Sequence, residues 1–133
     1  MELYSQHPNL AQYLRSQATV CGVHGYVLLP DDFVLPDGLS WNYQTNNWDT
    51  NTYGPQAWSV MEADGAVFLP AAGHRVDSDV GYVGSCGNYW SASCNSQYYA
   101  LYLYFDYEYA YVITQYYVRC YGHSVRLVRL CSE

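Results

Sequence analysis

Between Tyr99 and Phe105 the chain reads YALYLYF, and two kinds of side chain alternate along it. Leu101, Leu103 and Phe105 fall on one parity; Ala100, Tyr102 and Tyr104 fall on the other. A period of two sends successive side chains to opposite faces of a strand, so the first set is expected inside and the second outside. Tyr99 shares the parity of Leu101 and is therefore expected to lean inward. DYE (106–108) reads as a hairpin turn and YAYVI (109–113) as the returning strand. In HSVRLVRL (123–130), Val125 and Leu127 point one way and Arg126 and Val128 the other. Apolar residues on both faces predict a last strand at the centre of the sheet, where Arg126 and Arg129 would need scaffold carboxylates or carbonyls as partners.

The N-terminal half has other periods. PNLAQYLRS (8–16) opens with proline at a first helical position and continues with Leu10, Tyr13 and Leu14 at helical spacing, which predicts a short amphipathic helix. Strands are expected at 18–21 and 25–29, joined by a turn around Gly22 to Gly25. Residues 30–55 are rich in Asp, Asn, Pro and Gly and predict a long loop with a short turn or edge strand. Trp41 and Trp48 either anchor that loop or line a site. GPQAWSVMEADG carries the clearest helix signal: Pro55 at the start, Gly65 just past the end, and Ala57, Trp58 and Met61 on one face. A strand ending at Pro70 follows, and then a loop, VDSDVGYVGSCG. The sum is a single α+β domain over 1–133, with two short helices, a mainly antiparallel sheet and long loops, and with 1–17 as a helical extension.

Composition narrows what such a domain could meet. The 133 residues carry a net charge of −7 and no lysine, so attraction to nucleic-acid phosphates or anionic membranes is not expected. No apolar run approaches the roughly 20 residues of a membrane span, and the first residues lack the basic start and apolar centre of a secretion signal. Cys21, Cys86, Cys94, Cys120 and Cys131 are spaced irregularly, without zinc spacing; free thiols with at most one incidental disulfide are expected. The loop carboxylates Asp31, Asp32, Asp37, Asp77 and Asp79 invite a calcium reading, but no EF-hand loop occurs. His7, His24, His74 and His123 are scattered, and no set of acid, base and nucleophile stands out. No cofactor and no metal site are expected.

Tyrosine changes the picture. Eleven of the seventeen tyrosines lie between Gly87 and Arg129. The phenol gives a large rigid face and a hydroxyl while freezing only two torsions on binding, which suits a recognition surface. On this reading Tyr102 and Tyr104 face outward, Tyr107, Tyr116 and Tyr117 are exposed in loops, and Trp90 belongs to the core. The competing reading is cross-strand packing, where each pair contributes roughly 0.2–1 kcal/mol.

GAVFLPAAGHR, GSCGNYWSAS, LYFD and YGHSVRLVR, taken together, resemble the Fibrobacter major paralogous domain, a family abundant in surface proteins of gut Bacteroidetes. That family is closely similar to the variable domains of diversity-generating retroelement proteins. ATVCGVHGYVLLPDDFVLPDG and TYGPQAWSVMEADGAVFLPAAG resemble the upstream scaffold, so the likeness spans roughly residues 18 to 130. The resemblance implies a C-type-lectin-like fold in which a fixed frame displays hypervariable side chains, rewritten at template adenines by error-prone reverse transcription. Residues 88–129 would be the variable region. Asn codons altered at adenine yield Tyr, Ser, Cys, His or Asp, which accounts for the candidate ligand-binding set: Cys94, Asn95, Tyr98, Tyr102, Tyr104, Tyr107, Tyr109, Tyr111, Tyr116, Tyr117, Tyr121 and His123. Tyr99 and Cys120 are reachable in the same way; Gln97, Glu108 and Gln115 are not. YWSASCNSQ stands where the family usually shows YWSSTSYDS, and the EPN or QPD with WND triplets of sugar-binding lectins are absent. The implied role is a receptor- or adhesin-type domain that recognises a protein or glycan on a cell, phage or host surface. It would be carried at the cell surface or outside the cell, or borne on a phage, within a longer exported protein. Two other roles are compatible with the same fold. One is a structural module of a surface fibre. The other is an oxidase like the formylglycine-generating enzymes, which use a cysteine pair with copper. The late candidates for that pair are Cys120 and Cys131, and a lysine-free chain offers little positive charge to favour a thiolate.

Overall fold

A computed structural model describes residues 12–43, 45–94 and 96–127; for Cys94 and residues 111–117 only the backbone is described. A single 3-10 turn, Gln12–Leu14, leads directly into strand β1, Arg15–Val20. The helix expected over 8–16 is therefore not formed within its described part, because Arg15 and Ser16 already pair with Leu28 and Val27. β1 turns into β2, Val23–Leu28, through Cys21 and Gly22, whose φ values of 50° and 79° are both left-handed. Such a two-residue turn matches the natural twist of an antiparallel pair. It is tighter than the turn read from the sequence.

β1 and β2 form the middle of a four-stranded sheet, ordered β3-β1-β2-β4. β3, Thr52–Tyr53, is a short parallel edge strand that ends the long loop; β4, Val67–Pro70, follows helix α1, Pro55–Ala63. The helix has Pro55 in its first turn and Gly65 at φ 98° just beyond its end, as its sequence predicts. Its Trp58 and Met61 are buried with Ala18, Val20 and Val27 from one face of the sheet. Full burial of such side chains stabilises by roughly 1.5–3 kcal/mol each.

Polar side chains fasten the loop over 30–51. Buried Asn51 donates from Nδ2 to the carbonyls of Gln17 and Asn42, and its Oδ1 accepts from the Asn42 amide. The Tyr53 hydroxyl donates to Ser40 and the Trp41 indole to Tyr13. Trp48 stacks on His24 at 5.1 Å and meets Phe105 edge-on. Both loop tryptophans are therefore anchors.

The other face of the four-stranded sheet packs against a second sheet of three antiparallel strands: β7 (Cys86–Cys94), β8 (Tyr99–Asp106) and β9 (Ala110–Val118), in the order β7-β8-β9. Tyr26 and Leu69 from below meet Tyr89, Leu103 and Phe105 from above. Phe105 is fully buried, with Tyr26 stacked on it at 5.2 Å and Tyr89 at 6.1 Å. It also lies over Gly87, its cross-strand partner on β7, where a Cβ would run into the ring, so the ring can take this place between the sheets only because that position lacks a side chain. The result is three layers: helix and loop, four strands, three strands. The α+β class holds.

Four details of the C-terminal half depart from the sequence reading. Tyr102 is 5% exposed, although its parity is the outward one, because a later segment of chain covers that face. Tyr99 is 43% exposed, although it shares parity with Leu101. The sheets meet at the Phe105 end of β8, and Tyr99 lies beyond that contact. Trp90 is half-buried on the outer face and does not belong to either core cluster. Over 122–127 the chain makes two single bridges, Gly122 to Arg75 and Ser124 to Tyr89, where a central strand was expected. Val125, Arg126 and Leu127 are exposed, Leu127 at 88%; residues 128–130 of that expected strand, with Arg129, lie outside the described residues. Conversely, the expected loop after Pro70 holds a small hairpin, β5 (His74–Val76) and β6 (Asp79–Gly81).

Candidate functional site

On the outer face of the three-stranded sheet, the register pairs Cys86 with Asp106, Asn88 with Tyr104, and Trp90 with Tyr102. These positions alternate with the core-facing Gly87, Tyr89, Leu103 and Phe105, so all six lie on the side away from the core. Two further pieces of chain close around them. Gly73 just before β5 is held by a hydrogen bond from its amide to Cys86, and Arg75 exchanges two backbone hydrogen bonds with Gly122, at 2.7 and 2.8 Å. Ser124 in turn is clamped by bonds to Asn88 and Trp90. His123, between these two anchor points, is thereby laid over Trp90 and Tyr102, with ring centroids at 4.2 and 5.0 Å.

The space left is a cleft of ≈ 480 Å³ lined by His74, Tyr82, Ser85, Cys86, Asn88, Tyr102, Tyr104, Asp106, Tyr107 and His123. Its wall is a chain of rings. Tyr82 stacks on His74 at 5.4 Å, His74 meets His123 edge-on at 6.2 Å, and His123 leads to Tyr102 and Trp90. Asp106 lines the same cleft as a carboxylate acceptor. Its Oδ2 accepts from the Tyr104 hydroxyl at 2.9 Å, and its Oδ1 accepts from the amides of Glu108 and Tyr109, which shapes the β8–β9 turn.

Burial dominates the proton affinities here. The His123 imidazole is held down at about 4, first by desolvation and then by the neighbouring His74, against a backbone hydrogen bond at Gly122. The Tyr104 phenol is raised by burial and by its bond to Asp106. The Cys86 thiol is also pushed up, by burial and by the Asp106 charge, against a hydrogen bond from Asn88. A thiol so placed is a poor thiolate source, although it shares the cleft with two imidazoles. Cys21 and Cys120 are exposed free cysteines, and Cys131 lies outside the described residues. Among the described residues, no group of three or more His, Cys, Asp and Glu side chains could hold a metal ion. No helix among them is long and apolar enough to cross a membrane.

Of the candidate set read from the sequence, the cleft gathers Tyr102, Tyr104, Tyr107 and His123. Tyr109 is exposed in the adjoining turn, and Tyr121 is half-buried. Tyr98 is exposed at the opposite end of β8, about 30 Å from Tyr107 along the strand, so the set does not form one patch. Tyr116 and Tyr117, expected in loops, stand instead on strand β9 with Tyr111, opposite Leu101, Ala100 and Tyr104, because β9 runs on past Ile113 to Val118; the side chains of all three, like those of Cys94 and Asn95, lie outside the described residues. Sequence reading missed His74, Tyr82, Ser85, Cys86, Asn88 and Asp106. Extending the period of two upstream through CGNYW would have found Cys86 and Asn88. His74 and Tyr82 carry no such signal, because a short polar hairpin brings them in.

Comparison of the chain with family models, with curated proteins and with solved structures gives no match in any of the three.

Proposed function

We propose that this chain is a ligand-recognition domain of C-type-lectin-like fold, displaying a tyrosine-rich surface diversified by a retroelement. The observation that carries this reading is the convergence of Tyr102, Tyr104, Tyr107 and His123, all from the segment resembling a variable region, on one open cleft. Further support comes from a separation of labour between core-facing and outer positions. Core contacts use Tyr26, Tyr89, Leu103 and Phe105, while Tyr107 and Tyr109 remain exposed at the cleft end of the outer sheet. The partner is a protein or glycan of another cell, a phage or a host, and the domain works outside the cell within a longer exported protein.

The test is a binding screen against surface proteins and glycans, run beside a variant with Tyr107→Ser and Tyr109→Ser. Both rings are exposed, so the variant keeps its core. A partner that binds the parent and loses tenfold or more with the variant supports the reading, in line with the ~2 kcal/mol cost of truncating an aromatic hot spot. Undiminished binding by the variant places recognition elsewhere on the molecule. For the diversification, sibling genes of one genome should differ mainly over Tyr98–His123; differences spread evenly along the chain would defeat that part.

A further inference from the structure

The cleft has walls of aromatic rings and a carboxylate, and neither lysine nor arginine is among its described lining residues. Ring faces carry negative potential, and a cation set over them within about 6 Å is attracted; a nearby carboxylate adds to that attraction. The Asp106 carboxylate keeps room for such a cation. Oδ1 already accepts two amide hydrogens and Oδ2 one hydroxyl, which leaves an acceptor position on Oδ2 for one further donor. The imidazole most closely built into the ring wall, His123, is neutral at ordinary pH, so it sets no positive charge against an incoming cation. The whole chain, at −7, adds a field of the same sign.

We infer that the cleft receives a lysine or arginine side chain of a protein partner, its cationic head lying among the rings of Tyr82, Tyr104 and Tyr107 and donating to the Asp106 carboxylate. The inference rests on the recognition reading given above and names the chemistry recognised there. A protein partner is favoured over a lipid headgroup because the cleft opens beside exposed aromatic rings. Tyr107 and Tyr109 sit at its end and could pack on the flat surface around the inserted side chain. A net charge of −7 also opposes approach to an anionic bilayer.

Nuclear magnetic resonance titrations of the whole chain test it with small probes: Nα-acetyl-arginine amide and Nα-acetyl-lysine amide, each beside its neutral counterpart, the citrulline amide and the Nε-acetyl-lysine amide. The cationic probes are expected to saturate shifts of the cleft tyrosine and histidine rings. The neutral ones should bind roughly three- to thirtyfold more weakly, the range that a cation–π contact supports. Tyr82→Ala and Tyr107→Ala, both at exposed positions, should each reduce affinity severalfold, and Asp106→Asn, which keeps an acceptor for the turn, should do the same. Equal affinity for charged and neutral probes overturns the inference, as does tighter binding of phosphatidylcholine vesicles or of methyl α-glucoside. If the cationic probes fail while the Tyr107→Ser, Tyr109→Ser variant still loses a screened partner, the cation inference falls and the recognition reading stands. If both fail, both fall.

Discussion

Phe105 and Gly87 show how much rests on one absent methyl group. The fully buried Phe105 ring lies over Gly87, its cross-strand partner on β7, and a side chain there would push the ring out of its place in the core. Gly87→Ala is expected to cost about 1–3 kcal/mol by overpacking, measurable as a lower urea midpoint. Phe105→Leu in the Gly87→Ala background should be sub-additive, because the smaller side chain relieves the clash that the first change creates. Strictly additive costs would mean that the ring and the glycine are not coupled. His123 makes a different prediction. Its ordinary pKa of 6.5 applies to the unfolded chain, and about 4 to the folded one. Between those values the unfolded state binds more protons, so this residue's contribution to stability is complete above pH 6.5 and is lost as the pH falls toward 4. His123→Phe keeps a ring against Trp90 and Tyr102 but removes the titration. Its urea midpoint should therefore fall less steeply over that acid range than the parent's, and matching slopes would refute the assignment.

At the scale of elements, what was legible followed from strong local signals. Helix α1 was announced by Pro55 and Gly65 at its ends, and β8 by the alternation of Leu101, Leu103 and Phe105 with its tyrosines. Pairs such as β5 and β6 were not legible, since three polar-rich residues per strand establish no period, and the positive φ of Asp77 in their turn has no unique sequence mark. The burial of Tyr102 was hidden for another reason. Its cover, His123, comes from beyond β9, and its neighbours Gly122 and Ser124 are held by hydrogen bonds to Arg75 on β5 and to Asn88 and Trp90 on β7. Local periodicity reports which residues share a face; it is silent on what later covers that face. The β1–β2 turn offers a quantitative check. Cys21 adopts φ 50°, a region that an L-residue enters at a cost and that asparagine tolerates well. Cys21→Asn should raise stability by about 0.5–1 kcal/mol, read as a higher midpoint in urea, and removes one exposed free thiol.

For the whole molecule, the three layers differ in how they are held. The central strands β1, β2 and β8 each have neighbours on both sides, and their core-facing Val27, Leu103 and Phe105 are all but sealed from solvent. The wall that carries His74 and His123 hangs instead on a few backbone bonds, from Arg75 to Gly122 and from Ser124 to Asn88 and Trp90. Local opening costs less where few apolar contacts must break, so the two regions should separate in native-state hydrogen exchange. Amides of Ala18, Val27, Leu103 and Phe105 are expected to exchange only with global unfolding and to follow the full denaturant dependence. Those of Arg75, Gly122 and Ser124 should exchange faster and with little denaturant dependence, by a smaller opening that leaves both sheets intact. Equal protection in the two sets would make the cleft wall part of the main cooperative unit, with its shape fixed as firmly as the core. Unequal protection would mean that the ring-lined cleft can adjust to a partner without spending the stability of the frame beneath it.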